Sequence, residues 1–184
     1  TDERVMVLNS ANYGVPQKRK RMFLIGHKKG YRFEYPKITH DEKGENLFKD
    51  AKNFVDVKSA ISDLPNIKDN PNKIDKMEYS KFKGLNPFQI LMRKNNRSTT
   101  VRNNVCRLTN ERAIKVFSHM KQGSKYDDLP KRVKDILGYR DDIFKDRLKR
   151  LSYSEPSWTV VAHLGMDGYM FIHPDKPRTI SVRE

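Results

Sequence analysis

Gln17, Arg19 and Arg21 follow the turn Gly14-Val15-Pro16 at alternate positions in the stretch "NYGVPQKRKRMFLIG". Successive side chains on an extended strand point to opposite faces, so this spacing gathers one amide and two guanidiniums on one face and sends Lys18 and Lys20 to the other. Such a face is a row of hydrogen-bond donors carrying two permanent positive charges. "KRKR" taken alone reads as a solvated charge run or a short basic tract of the localisation type. The ordered Gln-x-Arg-x-Arg after a turn argues instead for donors placed by the fold. The unbroken apolar run Met22 to Ile25 that follows predicts a strand buried on both faces, which would anchor the arginines.

Two further basic clusters carry the same chemistry. "RKNNRSTTVRNNVCR" holds Arg93, Lys94, Arg97, Arg102 and Arg107 without an acidic residue, interleaved with amides and hydroxyls that can also donate to phosphates. "KDRLKRLSYSEPSW" holds Lys145, Arg147, Lys149 and Arg150 just ahead of Tyr153 and Trp158. With the glycine loop His163 to Gly168, this second cluster could fill a DNA groove with donors and acceptors. A flexible solvated loop is the alternative for the first cluster, and a core position is the alternative for Trp158.

Other chemistries have no foothold. Neither Gly-x-Gly-x-x-Gly nor Gly-x-x-x-x-Gly-Lys occurs, so no nucleotide or cofactor cradle is expected. The five histidines, His27, His40, His119, His163 and His173, lack close metal-ligand spacing, so no metal is expected. A single cysteine, Cys106, excludes an internal disulfide and a cysteine zinc cluster, and it reads as a small core residue. The 38 basic residues against 23 acidic ones give a net charge of +15, which makes a polyanion, nucleic acid first, the expected partner. No apolar run approaches the ~20 residues of a spanning helix and no signal pattern opens the chain, so a cytoplasmic location without a membrane is expected.

The elements that must position these donors are short. Residues 1–29 read as two strands joined by the Gly-Val-Pro turn, and 30–53 as loop with one short strand. "DVKSAISDLP" carries Val57, Ala60, Ile61 and Leu64 at helical spacing with Pro65 as a stop. "NIKDNPNKIDK" reads as a surface loop. Helices follow at "NPFQILMRK", at "TNERAIKVFSHM" with Thr109 as N-cap, and at "PKRVKDILG" from Pro130 to Gly138. "PSWTVVAHLGMDGYMFIHP" reads as strand, glycine loop, strand. The fold class expected is α+β, with strands at both ends and short helices between. The chain opens on Thr1 and closes on "TISVRE", a pattern like the first turn of a helix cut short, so a fragment of a longer protein is expected.

"LNSANYGVPQKRKRMFLIG" resembles the eighth conserved block of the DNA cytosine-5 methyltransferases, and "HPDKPRTISVRE" resembles the start of their ninth. In that family these blocks flank the target recognition domain, and roughly 150 residues lie between them here. "RLSYSEPSWTVVAHLGMDG" is similar to the family's recognition-loop region. The resemblance implies that residues 1–29 are the last strands of the catalytic domain, 30–177 a small mixed target recognition domain, and 178–184 the start of block nine as a truncated helix.

It also implies roles. The Gln-x-Arg-x-Arg face would be a polar wall beside a flipped cytosine. Arg21 would be catalytic, reaching the cytosine carbonyl oxygen and the family's glutamate, while Gln17 and Arg19 would position backbone. Arg97, Arg102, Arg147, Arg150, Ser157, Thr159, His163 and Asp167 complete the expected DNA contacts. The family's Pro-Cys nucleophile, glycine-rich S-adenosylmethionine loop and Glu-Asn-Val acid do not occur in this sequence. The resemblance therefore implies a sequence-specific, monomeric recognition domain for double-stranded DNA, within a restriction-modification methyltransferase. It would be inactive without the catalytic part of the same chain, and the cofactor would bind only in the full enzyme. The other reading is a stand-alone basic nucleic-acid-binding module unconnected with methyl transfer.

Overall fold

The computed structural model describes residues 5–42, 50–67, 75–79, 84–95, 98–106, 108–140, 147–161 and 169–184. Strand β1 (Val5–Asn9) runs antiparallel to β3 (Lys20–Leu24), with Leu8 opposite Arg21 and Asn9 opposite Lys20. A 3-10 turn (Ser10–Tyr13) reverses the chain; Asn9 caps it, and Gly14 closes it at φ +81°, a left-handed conformation that favours glycine. Close packing gives glycine a second reason here. A Cβ on Gly14 would stand 2.8 Å from Cε1 of His40.

Between the turn and β3 lies β2 (Gln17–Lys18). Then come β4 (His40–Asp41) and β5 (Lys52–Asn53), which pair in parallel, and α1 (Val57–Ile61). Strand β6 (Met77–Glu78) is antiparallel to β7 (Thr100–Val101), with α2 (Pro87–Arg93) between them in sequence. After α3 (Glu111–His119) and α4 (Lys131–Lys134) come β8 (Lys149–Arg150), β9 (Ser157–Trp158) and β10 (Phe171–Ile172). β8 pairs in parallel with β10, and β9 in parallel with β2. The architecture is a mixed α and β one, and all five sheets among the described residues have two strands.

Two apolar cores meet at β10. Ala113, Val116 and Phe117 of α3 pack with Tyr126, Leu148 and Ile172, while Val57, Ile61, Leu151, Phe171 and Ile180 form the second cluster. Phe171 and Ile172 are neighbours on one strand and so point to opposite sides, one into each core.

Helix ends are closed by side chains. Asn86 and Gln89 form a reciprocal capping box on α2, and the Asn110 side chain accepts from the Ala113 amide at 2.8 Å. The cap of α3 is therefore Asn110 and not Thr109, whose hydroxyl is buried with no hydrogen-bond partner among the described residues. Arg93, expected in a phosphate-facing cluster, is paired with Asp63 and lies 3.6 Å over the Tyr79 ring.

The apolar run after the arginines departs from expectation. Met22 and Leu24 are 71% and 73% exposed, and Val5, Met6 and Val7 of β1 are exposed beside them. Sequence pattern cannot distinguish a strand inside a layered sheet from one in a two-stranded ribbon, and among the described residues β3 has only β1 as a partner. Both strands read at the two ends of "PSWTVVAHLGMDGYMFIHP" are present as β9 and β10, and they pair with β2 and β8 and not with each other. No helix is formed at 178–184, but Ser181 and Glu184 exchange the hydrogen bonds of a capping box, amide to carboxylate at 2.8 Å and amide to hydroxyl at 3.1 Å.

Candidate nucleic-acid interface

Residues 17–24 form one nearly continuous strand with partners on two edges. The carbonyls alternate in direction, as the pleat requires. Pro16 O accepts from the Ser157 amide at 2.9 Å and Lys18 O from the Thr159 hydroxyl at 2.9 Å. On the other edge Gln17 O accepts from the Ser10 hydroxyl at 2.6 Å and Arg19 O from the Ser10 amide at 3.0 Å. Beyond Arg19 the strand joins β1, with Arg21 opposite Leu8.

The donor row is thus assembled, with its members in different states. Gln17 and Arg19 are half-buried, and Arg19 Nη1 donates to Val160 O at 3.2 Å. Arg21 is exposed, its Nη1 donating to the adjacent Lys20 O at 2.7 Å. Lys18 reaches Glu42 at 2.9 Å and Glu155 at 3.3 Å, tying β2 to two other segments. The hydrogen bond that Lys18 donates to Glu42 raises the Lys18 pKa above its ordinary value against the opposing effect of burial, and Glu155 adds to the rise.

The other expected contacts are dispersed. Ser157 lies on β9, paired with β2, and Thr159 follows directly after that strand; the Ser157 hydroxyl donates to Trp158 O. Arg102 is exposed, 3.9 Å from Asp75, and its carbonyl accepts from Arg183 Nε at 2.8 Å. Arg147 stacks 4.9 Å from the Tyr139 ring centre.

Arg150 is a correction. It is buried and donates to Pro174 O at 3.0 Å, to Phe117 O at 2.6 Å and to Met120 O at 3.0 Å, so its guanidinium closes the C-terminal end of α3. Burial lowers its pKa from the ordinary arginine value. Arg97, His163 and Asp167 lie outside the described residues.

Sequence reasoning missed a buried polar network at the chain's end. Arg178 and Glu184 pair through two bonds of 2.7 and 2.8 Å, and Arg178 Nη1 also donates to the Cys106 sulfur at 3.1 Å. Ser181 donates to Asn104, whose amide reaches Pro65 O. Burial works against both charges, but the pairing prevails, raising the Arg178 pKa and lowering that of Glu184. His173 stands 3.6 Å from Glu184, and burial together with Arg178 lowers its pKa to about 4. The Ser-x-x-Glu spacing was a readable signal for part of this network.

A cleft of about 750 Å³ opens beside the strand, lined in part by Leu8, Asn9, Lys18, Asp41, Glu42 and Thr159. Among the described residues no cluster of histidine, cysteine, aspartate and glutamate could hold a metal ion, and no helix is long and apolar enough to cross a membrane.

Comparison with known proteins adds three observations. The model of the family described as C-5 cytosine-specific DNA methylase matches residues 3–184. The type II methyltransferase M.Bpa9945I of Bacillus paralicheniformis is 32% identical over 195 residues, a match covering 100% of this chain and 42% of that protein. M.AgeI of Thalassovita gelatinovora is 27% identical, with 98% and 56% covered. A crystal structure described as a DNA modification methyltransferase encoded within an E. coli prophage superposes with a TM-score of 0.56 at 20% identity, covering 96% of this chain and 46% of that one, a likeness of fold. The chain spans about half the length of the curated relatives it matches.

Proposed function

Since the chain belongs to the C-5 cytosine-specific DNA methylase family, we propose that it is the DNA-recognition part of a DNA cytosine-5 methyltransferase. In this reading residues 1–29 are strands of the catalytic domain, 30–177 the target recognition domain, and 178–184 the start of the ninth conserved block. The observation that carries it is the strand Gln17 to Leu24, which belongs at once to the exposed apolar hairpin and, through β9, to the α and β body. The hairpin's outward Met22 and Leu24 suit a surface that further sheet would cover. Arg21 then stands at the seam, exposed, where a flipped cytosine could meet it.

S-adenosylmethionine does not fit the described residues. The starts of α1, α2 and α3 each give one amide to a side-chain acceptor, Asp56, Asn86 and Asn110, and no Gly-x-Gly-x-x-Gly loop occurs in the sequence to cradle the cofactor. Methyl transfer is accordingly assigned to the enzyme as a whole, working as a cytoplasmic monomer on duplex DNA. The 184-residue chain alone is expected to be inactive and to give a flat calorimetric titration with the cofactor.

The test uses the complete protein with tritiated S-adenosylmethionine and duplexes of defined sequence. Label should appear at C5 of cytosine in one sequence context, and the log–log salt slope of binding should be about −3 to −5 if three to six phosphates are met. Arg21→Ala should lower turnover roughly a hundredfold while changing duplex Kd by less than about twofold, as for a contact made mainly in the transition state. Labelling at another atom, or binding without salt dependence, would overturn the reading.

A further inference from the structure

Arg19 and Thr159 lie among the residues expected to touch DNA, yet the structure spends both on the protein's own backbone. The Thr159 hydroxyl donates to Lys18 O at 2.9 Å, and the Arg19 guanidinium donates to Val160 O at 3.2 Å. The two bonds run in opposite directions across one junction, each side chain gripping the carbonyl of the other segment. They sit where the two-residue pairing of β2 with β9 ends. Past that point the described residues show no further backbone pairing between these segments.

We infer that Arg19 and Thr159 are positioning residues that staple the strand bearing Arg21 to the segment 157–161, so that the cytosine-side wall and the recognition side move as one body. The inference rests on the function proposed above and assigns Arg19 away from phosphate. The geometry explains why a guanidinium is used. Arg19 is half-buried, two residues before Arg21, and its long planar group spans a gap that a main-chain amide cannot cross once the ladder stops. Lys18, one residue before Arg19, fixes the same strand from its other face through Glu42 and Glu155. Arg21 itself is held in the described structure by β1 and by its bond to Lys20 O. Its position relative to segment 157–161 therefore depends on the staple two residues earlier.

Two readouts in the complete protein separate this role from a phosphate contact. Amide hydrogen exchange of residues 157–161, measured without DNA, should accelerate roughly tenfold in Arg19→Met and in Thr159→Val, the loss expected for one net hydrogen bond. Arg19→Lys and Thr159→Ser, which keep a donor, should restore most of the protection. In duplex binding the salt slope should stay unchanged in Arg19→Met, while kcat/KM for the cognate sequence relative to a single mismatch falls roughly tenfold. Unchanged exchange in both variants, or a slope flattened by about one unit in Arg19→Met, would overturn the staple. Because exchange needs neither DNA nor methyl transfer, its result stands even where the enzyme proves to have another activity.

Discussion

In the hairpin of β1 and β3 most apolar side chains face outward, whereas between Phe171 and Glu184 even charged groups are buried. The hairpin β1–β3 leaves Met22 and Leu24 at 71% and 73% exposure, and among the described residues Arg21 bonds only a neighbouring carbonyl. In the other segment Arg178 is 5% exposed and Glu184, His173, Ser181 and Asn104 are knit into one network. Both segments resemble a conserved block of the family, so sequence resemblance does not separate them. What separates them is whether the surrounding chain supplies a partner for each group. A buried charge is tolerated where a partner faces it, and an exposed apolar patch is the kind of surface that interfaces use.

The sharpest way to break this contrast is Glu184→Gln. It leaves Arg178 buried without its carboxylate, and chemical denaturation should show a loss of about 3–5 kcal/mol. A loss below about 1 kcal/mol would mean that the network is not what holds this segment.

Next in size is a pH effect. Folded His173 stays neutral down to about 4, while the unfolded ring protonates near its ordinary 6.5, so the unfolded state binds more protons between these values. Stability should therefore fall as pH drops from about 6.5 to about 4 and this contribution should level off below, with a total on the order of 3 kcal/mol. The measurement is a set of denaturation curves across that range for the parent and His173→Gln. The variant should show a shallower decline, and parallel curves would remove His173 from the account.

Asn110→Ala sharpens the comparison at an intermediate scale. Losing the α3 cap should lower the thermal midpoint by an amount equivalent to about 1 kcal/mol, whereas Thr109→Ala should not, since its hydroxyl caps nothing. The smallest effect belongs to the hairpin. Leu24→Ser in this chain should change stability by less than about 0.5 kcal/mol, because the side chain is already in water. In the complete protein the same change should cost about 2 kcal/mol if a further layer covers the strand. Equal effects in both would show that the hairpin is a free surface.

Much of the local structure was legible. Helical spacing located α1 to α4, and Gly14 announced its turn, because these features are fixed by backbone sterics and side-chain period within a few residues. The cap of α3 was misread by one position, since Thr109 and Asn110 are both good caps and local pattern does not choose between them. The strand "MFLI" was misread more seriously. An apolar run reports what a strand would bury, not what is present to bury it.

Among the candidate site residues, the alternation of Gln17, Arg19 and Arg21 could be read directly, but their partners could not. Arg150 looked like any other member of a basic cluster, and only the approach of α3 shows that it closes a helix end. Lys18 looked like half of a charge run, and only the convergence of Glu42 and Glu155 gives it a task.

By itself the sequence determined the turn, the helices, the basic balance and a resemblance to the family at both ends of the chain. The tertiary structure alone decided which arginines remain exposed, which are consumed by backbone carbonyls, and that β2 pairs with a strand 140 residues distant in register, Gln17 against Ser157. The reason is physical. Period and propensity act over a few residues, whereas a carbonyl that needs a donor is satisfied by whatever the folded chain brings within about 3 Å.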